Sequence, residues 1–217
     1  EAARSWLELS GIELVDTPAG ATADAKSLIA ALQNCSGVIA GPEPYTEEVF
    51  AACPDLGVVS RWGVGYDAVD IEAARRHHVM VQNTPGVITD AVADLAFMFI
   101  MALARGLRQG DALVCSGGWG PIFGQNVGGA TIGIIGLGAI GACTARRAKG
   151  FGMRILAFDP MPRQELIDEL GVEYIELDEL LGQSDFVVVH CNATVENCGL
   201  FSACEFSLMK STAYFIN

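Results

Sequence analysis

Short apolar runs alternate with amphipathic stretches along almost the whole chain. The apolar runs predict buried strands, and the helical periodicity in most of the gaps between them predicts helices. The predicted strands are residues 12–15, 38–40, 56–60, 79–81, 131–135, 155–158, 172–175, 186–190 and 213–216. This alternation predicts an α/β, doubly wound fold in which parallel strands are covered by helices on both faces.

The turn Asn-Thr-Pro-Gly at residues 83–86 divides this pattern. It separates the first small strand–helix units from a long apolar helix predicted over residues 90–107. We therefore expect one domain over residues 1–84 and another over residues 85–217. A glycine-rich, irregular stretch follows at residues 115–129 and leads to the next predicted strand.

The sequence pattern at each end of the chain predicts a secondary-structure element that is cut short. The sequence has no starting Met, and the residues from Glu1 onward have the pattern of the middle of a helix. It ends on the apolar run at residues 213–216, which is typical of a buried strand that needs a covering element after it. We therefore expect a piece of a longer protein in which both domains are incomplete.

Composition excludes several classes of protein. The 217 residues are 51% hydrophobic and 18% charged, which is typical of globular domains and excludes disorder. A net charge of −13 argues against nucleic acid and anionic membranes as partners. The apolar run at residues 95–104 is too short to cross a bilayer. Seven cysteines without a Cys-x-x-Cys pair indicate reduced thiols, a cytoplasmic location and no metal site.

A strand at residues 131–135 runs into the glycine turn Gly136-Leu137-Gly138-Ala139-Ile140-Gly141. In a Gly-x-Gly-x-x-Gly turn the first glycine permits the turn, the second admits a pyrophosphate and the third packs the helix on the strand. Asp159 ends the next strand 18 residues after Gly141, close to the offset of the acid that binds the ribose of NAD. Its carboxylate would repel the 2′-phosphate of NADP, so NAD is favoured. A glycine turn that binds nothing is the alternative.

Two cations near glycine-rich segments have alternative interpretations. Arg163 either holds a 2′-phosphate or is a solvated charge at the start of a helix, and we favour the second interpretation. Arg61 lies beside the loop Gly63-Val64-Gly65, whose consecutive N–H groups are suited to a carboxylate. The alternative is that this loop only makes a turn before the next helix.

Five segments in order carry a resemblance to a known family: RWGVGYDAVDIEAA, VQNTPGVITDAVADLAF, TIGIIGLGAIG, ILAFDP and LMKSTAYFIN. From about residue 38 to its end, the chain resembles the D-2-hydroxyacid dehydrogenases. It is most similar to their phosphoglycerate dehydrogenase-like and hydroxypyruvate reductase-like members. The resemblance implies a flavodoxin-like substrate domain, a Rossmann-like NAD domain and a catalytic cleft between them. It also implies hydride transfer between nicotinamide and a small, anionic D-2-hydroxy acid or 2-oxo acid, such as a 3-phosphoglycerate-like or hydroxypyruvate-like compound.

The resemblance also implies roles for individual residues. The predicted substrate-binding residues are Ala40, Gly41, Arg61, Gly63, Val64 and Gly65. The predicted cofactor-binding residues are Val64, Gly136, Gly138, Ala139, Ile140, Gly141, Asp159, Pro160, His190, Cys191 and Asn192. The chain departs from the family where His-x-Pro-Leu-Thr is common, because it has His190-Cys191-Asn192-Ala193-Thr194. The missing proline predicts a freer loop. His77-His78 stands where a glycine is usual.

Hydride transfer to a 2-oxo acid needs a cation for the carboxylate, a general acid and a partner for that acid. His77 and His78 end a surface helix and are expected to be solvated, and His190 lies on the cofactor side. The family resemblance places the catalytic Arg, Glu and His beyond Asn217. We therefore expect no catalytic residue in this chain and no turnover by the chain alone.

The sequence allows more than one form of assembly and more than one function. Apolar residues lie on more than one face of the 90–107 helix, at Phe97, Phe99, Ile100, Met101 and Leu103. Together with the resemblance, this favours a homodimer through this helix. A buried helix of a monomer is the alternative.

Two other functions compete with the enzyme interpretation. One is a binding protein that senses NAD without turnover, like the family's corepressors, and the other is a catalytically silent oligomerisation module.

Overall fold

Two separate parallel sheets form from the alternating strands and helices. The computed structural model describes residues 2–16, 24–194 and 197–217. The chain divides into two compact units, Glu1–Pro85 and Gly86–Asn217. The predicted opening helix is present as α1 (Ala2–Leu9), whereas Glu1, which that prediction included, lies outside the described residues.

The first unit is built on a three-stranded parallel sheet in the order β1-β2-β3. Its further elements are α2 (Ala25–Leu32), β1 (Gly37–Ala40), α3 (Glu47–Ala52), β2 (Val58–Arg61), α4 (Ile71–Arg76) and β3 (Met80–Gln82). Val38 lies opposite Val59, which lies opposite Val81. These three valines share one core with side chains of α2, α3 and α4, because alternate strand residues face the same side of the sheet.

Two expectations for this unit differ from the structure. Residues 12–15 do not form a strand, because a strand exists only when a neighbour accepts its ladder of hydrogen bonds. On the face of the sheet opposite Val38, Ile39 is 64% exposed and Met80 is 58% exposed. Within the described residues the helices therefore cover one face of this sheet. Every other predicted strand overlaps a strand of the structure.

The second unit is a five-stranded parallel sheet in the order β6-β5-β4-β7-β8. Its elements are α5 (Thr89–Ala104), α6 (Leu107–Cys115), β4 (Thr131–Ile135), α7 (Ala139–Gly150), β5 (Arg154–Phe158), α8 (Gln164–Leu170), β6 (Glu173–Tyr174), α9 (Leu177–Gln183), β7 (Phe186–Val189), α10 (Ala203–Leu208) and β8 (Tyr214–Ile216). The strand order reverses beside β4. In doubly wound sheets, ligands bind outside the carboxyl ends of the strands at this switch point.

Helices cover both faces of the second sheet. On one face Ile100 of α5 and Ala145 of α7 are fully buried against Ile132 and Ile134 of β4. On the other face Leu180 of α9 packs into a smaller core with Ile135. The doubly wound α/β fold predicted from the sequence is confirmed in this unit.

The helix predicted over residues 90–107 is shorter than expected. It ends at Ala104, and a second helix, α6, starts at Leu107. Gly106 between them has a φ of 61°, a left-handed conformation that interrupts a helix. The Ala104 carbonyl instead accepts the N–H of Gln125 at 2.8 Å. Across the described parts of the chain, no helix combines the length and apolarity that a membrane span requires.

Candidate functional site

The glycine turn lies between β4 and α7, at the switch point of the second sheet. Gly136 has a φ of 87°, and a Cβ there would lie 2.5 Å from the Cys191 nitrogen. A Cβ on Gly141 would lie 2.2 Å from the Gly136 carbonyl oxygen. Both glycines are therefore required by the fold itself. A Cβ on Gly138 would meet no protein atom within 4 Å, so space is open there.

The open space at Gly138 lies at the amino terminus of α7. Gly138 is the N-cap residue, and no described side chain caps this helix. The first N–H groups of a helix have no partner inside it, and they carry a partial positive charge. The turn therefore offers backbone donors and room for an anion, which are the two properties that a pyrophosphate needs.

Asp159 follows β5 and is bonded directly to the glycine turn. Its Oδ2 accepts the N–H of Leu137 at 2.7 Å, and its Oδ1 accepts the N–H of Met161 at 2.8 Å. A carboxylate has about four lone-pair sites, so two bonds leave capacity for hydroxyl donors. The predicted ribose ligand thus also fixes the turn. Pro160, the next residue, is exposed.

Arg163 lies on the same turn, contrary to its interpretation as a solvated charge. Its Nη2 donates to the carbonyl of Leu137 at 2.8 Å and to that of Gly138 at 3.4 Å. Its backbone N–H donates to the Tyr174 hydroxyl at 3.1 Å. The guanidinium binds the turn mainly at the Leu137 carbonyl, which accepts no backbone N–H among the described residues, whereas the Gly138 carbonyl also accepts the N–H of Ala142. Sequence spacing gives no sign of this contact.

His190 connects the end of β7 to the helix that follows the glycine turn. Its backbone N–H donates to the Ile135 carbonyl at 2.7 Å. Its Nε2 shares a hydrogen bond of 2.9 Å with the hydroxyl of Thr144, which is completely buried in α7. Burial lowers the pKa of His190 below its ordinary value, which favours the neutral imidazole. His190 therefore positions α7.

The loop after His190 is closed by Asn197, a residue that sequence reasoning missed. The Asn197 Nδ2 donates to the Asn192 carbonyl at 2.5 Å and to the Cys191 sulfur at 3.8 Å. Its Oδ1 accepts the N–H of Thr194 at 2.8 Å. The missing proline predicts a freer loop, and among the described residues these bonds hold Cys191, Asn192 and Thr194 to Asn197. Burial raises the pKa of the Cys191 thiol, which keeps it protonated.

In the first unit, residues after β3 hold the loop after β2. Gly63 has a φ of 148°, and its N–H donates to the hydroxyl of Thr84 at 2.9 Å. The Asn83 Nδ2 donates to the Val64 carbonyl at 2.8 Å. The Gly63 N–H is therefore occupied, contrary to the expectation of three free donors. The N–H groups of Val64 and Gly65 have no acceptor among the described residues.

Arg61 ends β2 and points its guanidinium toward neighbouring backbone. Its Nη1 donates to the Trp62 carbonyl at 2.7 Å and to the Ala40 carbonyl at 3.4 Å. In the described part of the chain it forms no ion pair with a carboxylate. Ala40 itself is completely buried at the end of β1. A cation and two free N–H groups thus occur together at the carboxyl edge of this sheet.

The other two histidines do not form a catalytic pair. The Nε2 of His77 lies 2.7 Å from a carboxylate oxygen of Glu47, and its ring is half-buried against Phe50. The expectation that His77 is solvated is therefore wrong, whereas His78 is exposed as expected. Among the described residues, no group of three or more His, Cys, Asp and Glu side chains could hold a metal.

Comparisons with known proteins agree with this geometry. The family model described as D-isomer specific 2-hydroxyacid dehydrogenase, NAD binding domain, matches residues 97–217. Glyoxylate reductase of Korarchaeum cryptofilum is 42% identical over 199 residues, which cover 88% of this chain and 60% of that protein. This chain thus spans 60% of the length of that curated relative.

Solved structures of related proteins match both units. The apo structure of D-lactate dehydrogenase from Escherichia coli has a TM-score of 0.85 and 30% identity, covering 99% of this chain and 68% of that one. NAD-dependent formate dehydrogenase from Staphylococcus aureus, solved with NAD, has a TM-score of 0.84 and 29% identity, covering 100% of this chain and 65% of that one.

Proposed function

Because this chain belongs to the D-isomer-specific 2-hydroxyacid dehydrogenase family, we propose that it carries the NAD site and part of the substrate site of an oxidoreductase. The reaction is hydride transfer between nicotinamide and a small D-2-hydroxy acid or its 2-oxo acid. The observation that supports this proposal most is the open glycine turn, in which Gly138 leaves space at the uncapped amino terminus of α7.

NAD is the cofactor, and residues of the second unit fit it. The N–H groups of Ala139 and Ile140 would receive the pyrophosphate, because they belong to the first turn of α7. Asp159 would accept hydroxyl groups of the ribose with its remaining lone pairs. His190 would act through α7 by its bond to Thr144. When bound, NAD supplies the centre that accepts or donates the hydride.

The substrate carboxylate would be held in the first unit. Val64 and Gly65 offer N–H groups without a described acceptor, and Arg61 adds a positive charge that has no acidic partner among the described residues. These three groups suit any 2-oxo acid. The phosphoglycerate-like and hydroxypyruvate-like substrates favoured by the sequence remain candidates, and the name of the archaeal relative adds glyoxylate.

No described histidine suits the role of general acid. His77 is bonded to Glu47, and His190 is bonded to Thr144 with a lowered pKa. We therefore expect the 217-residue chain to bind NAD without turning over a 2-oxo acid. The full-length gene product is expected to supply the acid and to act in the cytoplasm.

Two measurements test the proposal. Isothermal titration of NAD into the purified chain should give saturable binding, and NADH oxidation by the full-length gene product should follow addition of glyoxylate, hydroxypyruvate or pyruvate. Absence of NAD binding by a folded chain would contradict the cofactor site. NAD binding by a full-length product that reduces none of these acids would instead favour the NAD-sensing alternative.

The α5 helix favours a homodimer as the assembled form. Its buried face includes Phe97 and Ile100, whereas Leu95, Met98 and Phe99 on the other side are 41–50% exposed. An open groove of about 630 Å³ beside it is lined by residues such as Leu103, Leu107 and Tyr214. Apolar faces of this kind are typical of subunit interfaces. A second copy of the chain would cover this face.

A further inference from the structure

Glu43 lies in the loop after β1 and is only 8% exposed. Its carboxylate oxygen Oε2 is buried and has no hydrogen-bond partner among the described residues. A carboxylate buried without a partner destabilises a fold, so such groups are rare unless they serve a ligand, a water or catalysis. The Glu43 carboxylate therefore leaves an unused hydrogen-bond acceptor in the loop after β1, and this lowers the stability of the fold.

The position of this carboxylate is set by Gly41. A Cβ on Gly41 would lie 2.8 Å from the Glu43 Oε1 and 2.9 Å from its Oε2. The missing side chain thus makes room for the carboxylate at the carboxyl end of β1. At the same strand end, the Arg61 guanidinium donates a hydrogen bond to the carbonyl of Ala40. The acid and the cation therefore flank one strand end.

Tyr45 lies close enough to Glu43 and to Arg61 for both charges to influence its hydroxyl group. Burial and then the negative charge of Glu43 raise the pKa of Tyr45, whereas the positive charge of Arg61 lowers it. Glu43 and Arg61 nevertheless form no ion pair with each other in the described structure. A purely structural buried carboxylate would be paired, because the pair offsets the cost of desolvation.

We propose that Glu43 is a specificity residue that accepts a hydrogen bond from a hydroxyl group on C3 of the substrate. This inference rests on the proposed function and names its substrate class as 3-hydroxy-2-oxo acids. Arg61 and the N–H groups of Val64 and Gly65 hold the carboxylate, and Glu43 holds the hydroxyl. A phosphate on C3 is disfavoured, because its negative charge would face the Glu43 carboxylate.

Substrate selectivity of the full-length gene product tests this role. Hydroxypyruvate and 2-oxobutyrate differ by a hydroxyl in place of a methyl group, so their kcat/KM ratio isolates the hydroxyl. The wild-type ratio should exceed about 10, because a site built around a hydroxyl rejects the analogue without it. Glu43→Met keeps the chain length and removes the acceptor, and it should lower the ratio at least about tenfold.

Matched controls separate this role from a structural one. Glu48 is an exposed acid at the start of α3, and Glu48→Gln should keep the wild-type ratio. Unliganded Glu43→Met should melt at or above the wild-type temperature, because it removes the unsatisfied oxygen. A lower melting temperature with an unchanged ratio would make Glu43 a structural residue and overturn the proposal.

Two further outcomes distinguish this inference from the proposed function. If the wild type reduces 2-oxobutyrate as well as hydroxypyruvate, or prefers 3-phosphohydroxypyruvate, the role of Glu43 is refuted and the dehydrogenase function stands. If the wild type reduces no 2-oxo acid with NADH, both fail together. Should Glu43→Met not fold, the wild-type ratio alone decides between these results.

Discussion

The carboxylate of Asp159 accepts the backbone N–H of Leu137 at 2.7 Å, so the acid that we propose as the ribose ligand also fixes the glycine turn. Asp159→Asn keeps one carbonyl acceptor for the turn but removes the charge that opposes a 2′-phosphate. We expect the ratio of NAD affinity to NADP affinity to fall about tenfold, which is about one unit of log K. Calorimetric titration of both cofactors measures this ratio.

Two further variants show whether this effect is specific. Asp159→Ala frees the N–H groups of Leu137 and Met161, so it should weaken both cofactors. Asp168→Asn alters an exposed acid on α8 and should leave the ratio unchanged. If Asp159→Asn weakens NAD and NADP equally, the residue has only the structural role.

Gly136 and Gly138 should respond differently to the same substitution. Gly136→Ala places a Cβ 2.5 Å from the Cys191 nitrogen at a φ of 87°, and it should lower the free energy of unfolding by about 3 kcal/mol or more. Gly138→Ala meets no protein atom, so stability should stay within about 1 kcal/mol while NAD affinity falls at least about tenfold. Urea unfolding and NAD titration measure the two effects. Normal NAD binding by Gly138→Ala would argue against the pyrophosphate position.

His78→Gly should stabilise the first unit by about 0.5–1 kcal/mol. His78 has a φ of 58° just after α4, a conformation that a side chain with a Cβ adopts at a cost. Denaturant unfolding at pH 8 measures the gain. His77→Gly is the matched control and should be destabilising, because His77 bonds to Glu47 and packs on Phe50. Equal effects of the two substitutions would contradict the backbone explanation.

Acid should weaken the second unit through Asp185. Burial alone would raise the pKa of this carboxyl group, but its bonds to Lys210 and to the Thr131 N–H outweigh burial and hold the pKa below its usual value. Its contribution is therefore present above about pH 4, the ordinary pKa of an unfolded Asp, and is lost as pH falls through the folded pKa.

Asp185→Asn measures that contribution. At pH 7 it should lower the free energy of unfolding by about 1 kcal/mol, since partial exposure of the pair to solvent limits its strength. The difference from wild type should shrink as urea titrations are repeated from pH 6 to pH 3. Asp55→Asn, at an exposed acid, is the control. A difference that is constant with pH would show that the charge is not responsible.

The exposed face of α5 should control assembly. Leu95→Glu combined with Phe99→Glu places charge on this face, while the buried Phe97 and Ile100 remain. We expect sedimentation equilibrium to show a dimer for the wild-type chain and a monomer for the double variant. Met161→Glu changes an apolar side chain that is 77% exposed elsewhere and should leave the dimer intact. A wild-type chain that stays monomeric at high concentration would refute the interface.

Regular patterns explain why much of the fold was predictable. The strand at Thr131–Ile135 has the predicted bounds, because an apolar run between a turn and a glycine motif has few other conformations. Residues 12–15 show the limit of this reasoning. Their apolar pattern is that of a strand, but a strand also needs a paired neighbour, which local sequence does not specify.

Local sequence was enough to predict the doubly wound fold of the second unit, the glycine turn and the position of Asp159 after the next strand, because periodicity and motif spacing are local properties of the chain. Three other features emerge from the folded structure alone: Asp159 and Arg163 both bind the turn, Thr84 accepts the Gly63 N–H, and Glu43 is buried without a partner among the described residues. These relationships depend on which side chains distant strand ends and loops bring together. Three-dimensional packing sets the hydrogen bonds and the burial of these side chains, and residue spacing along the chain does not predict that packing.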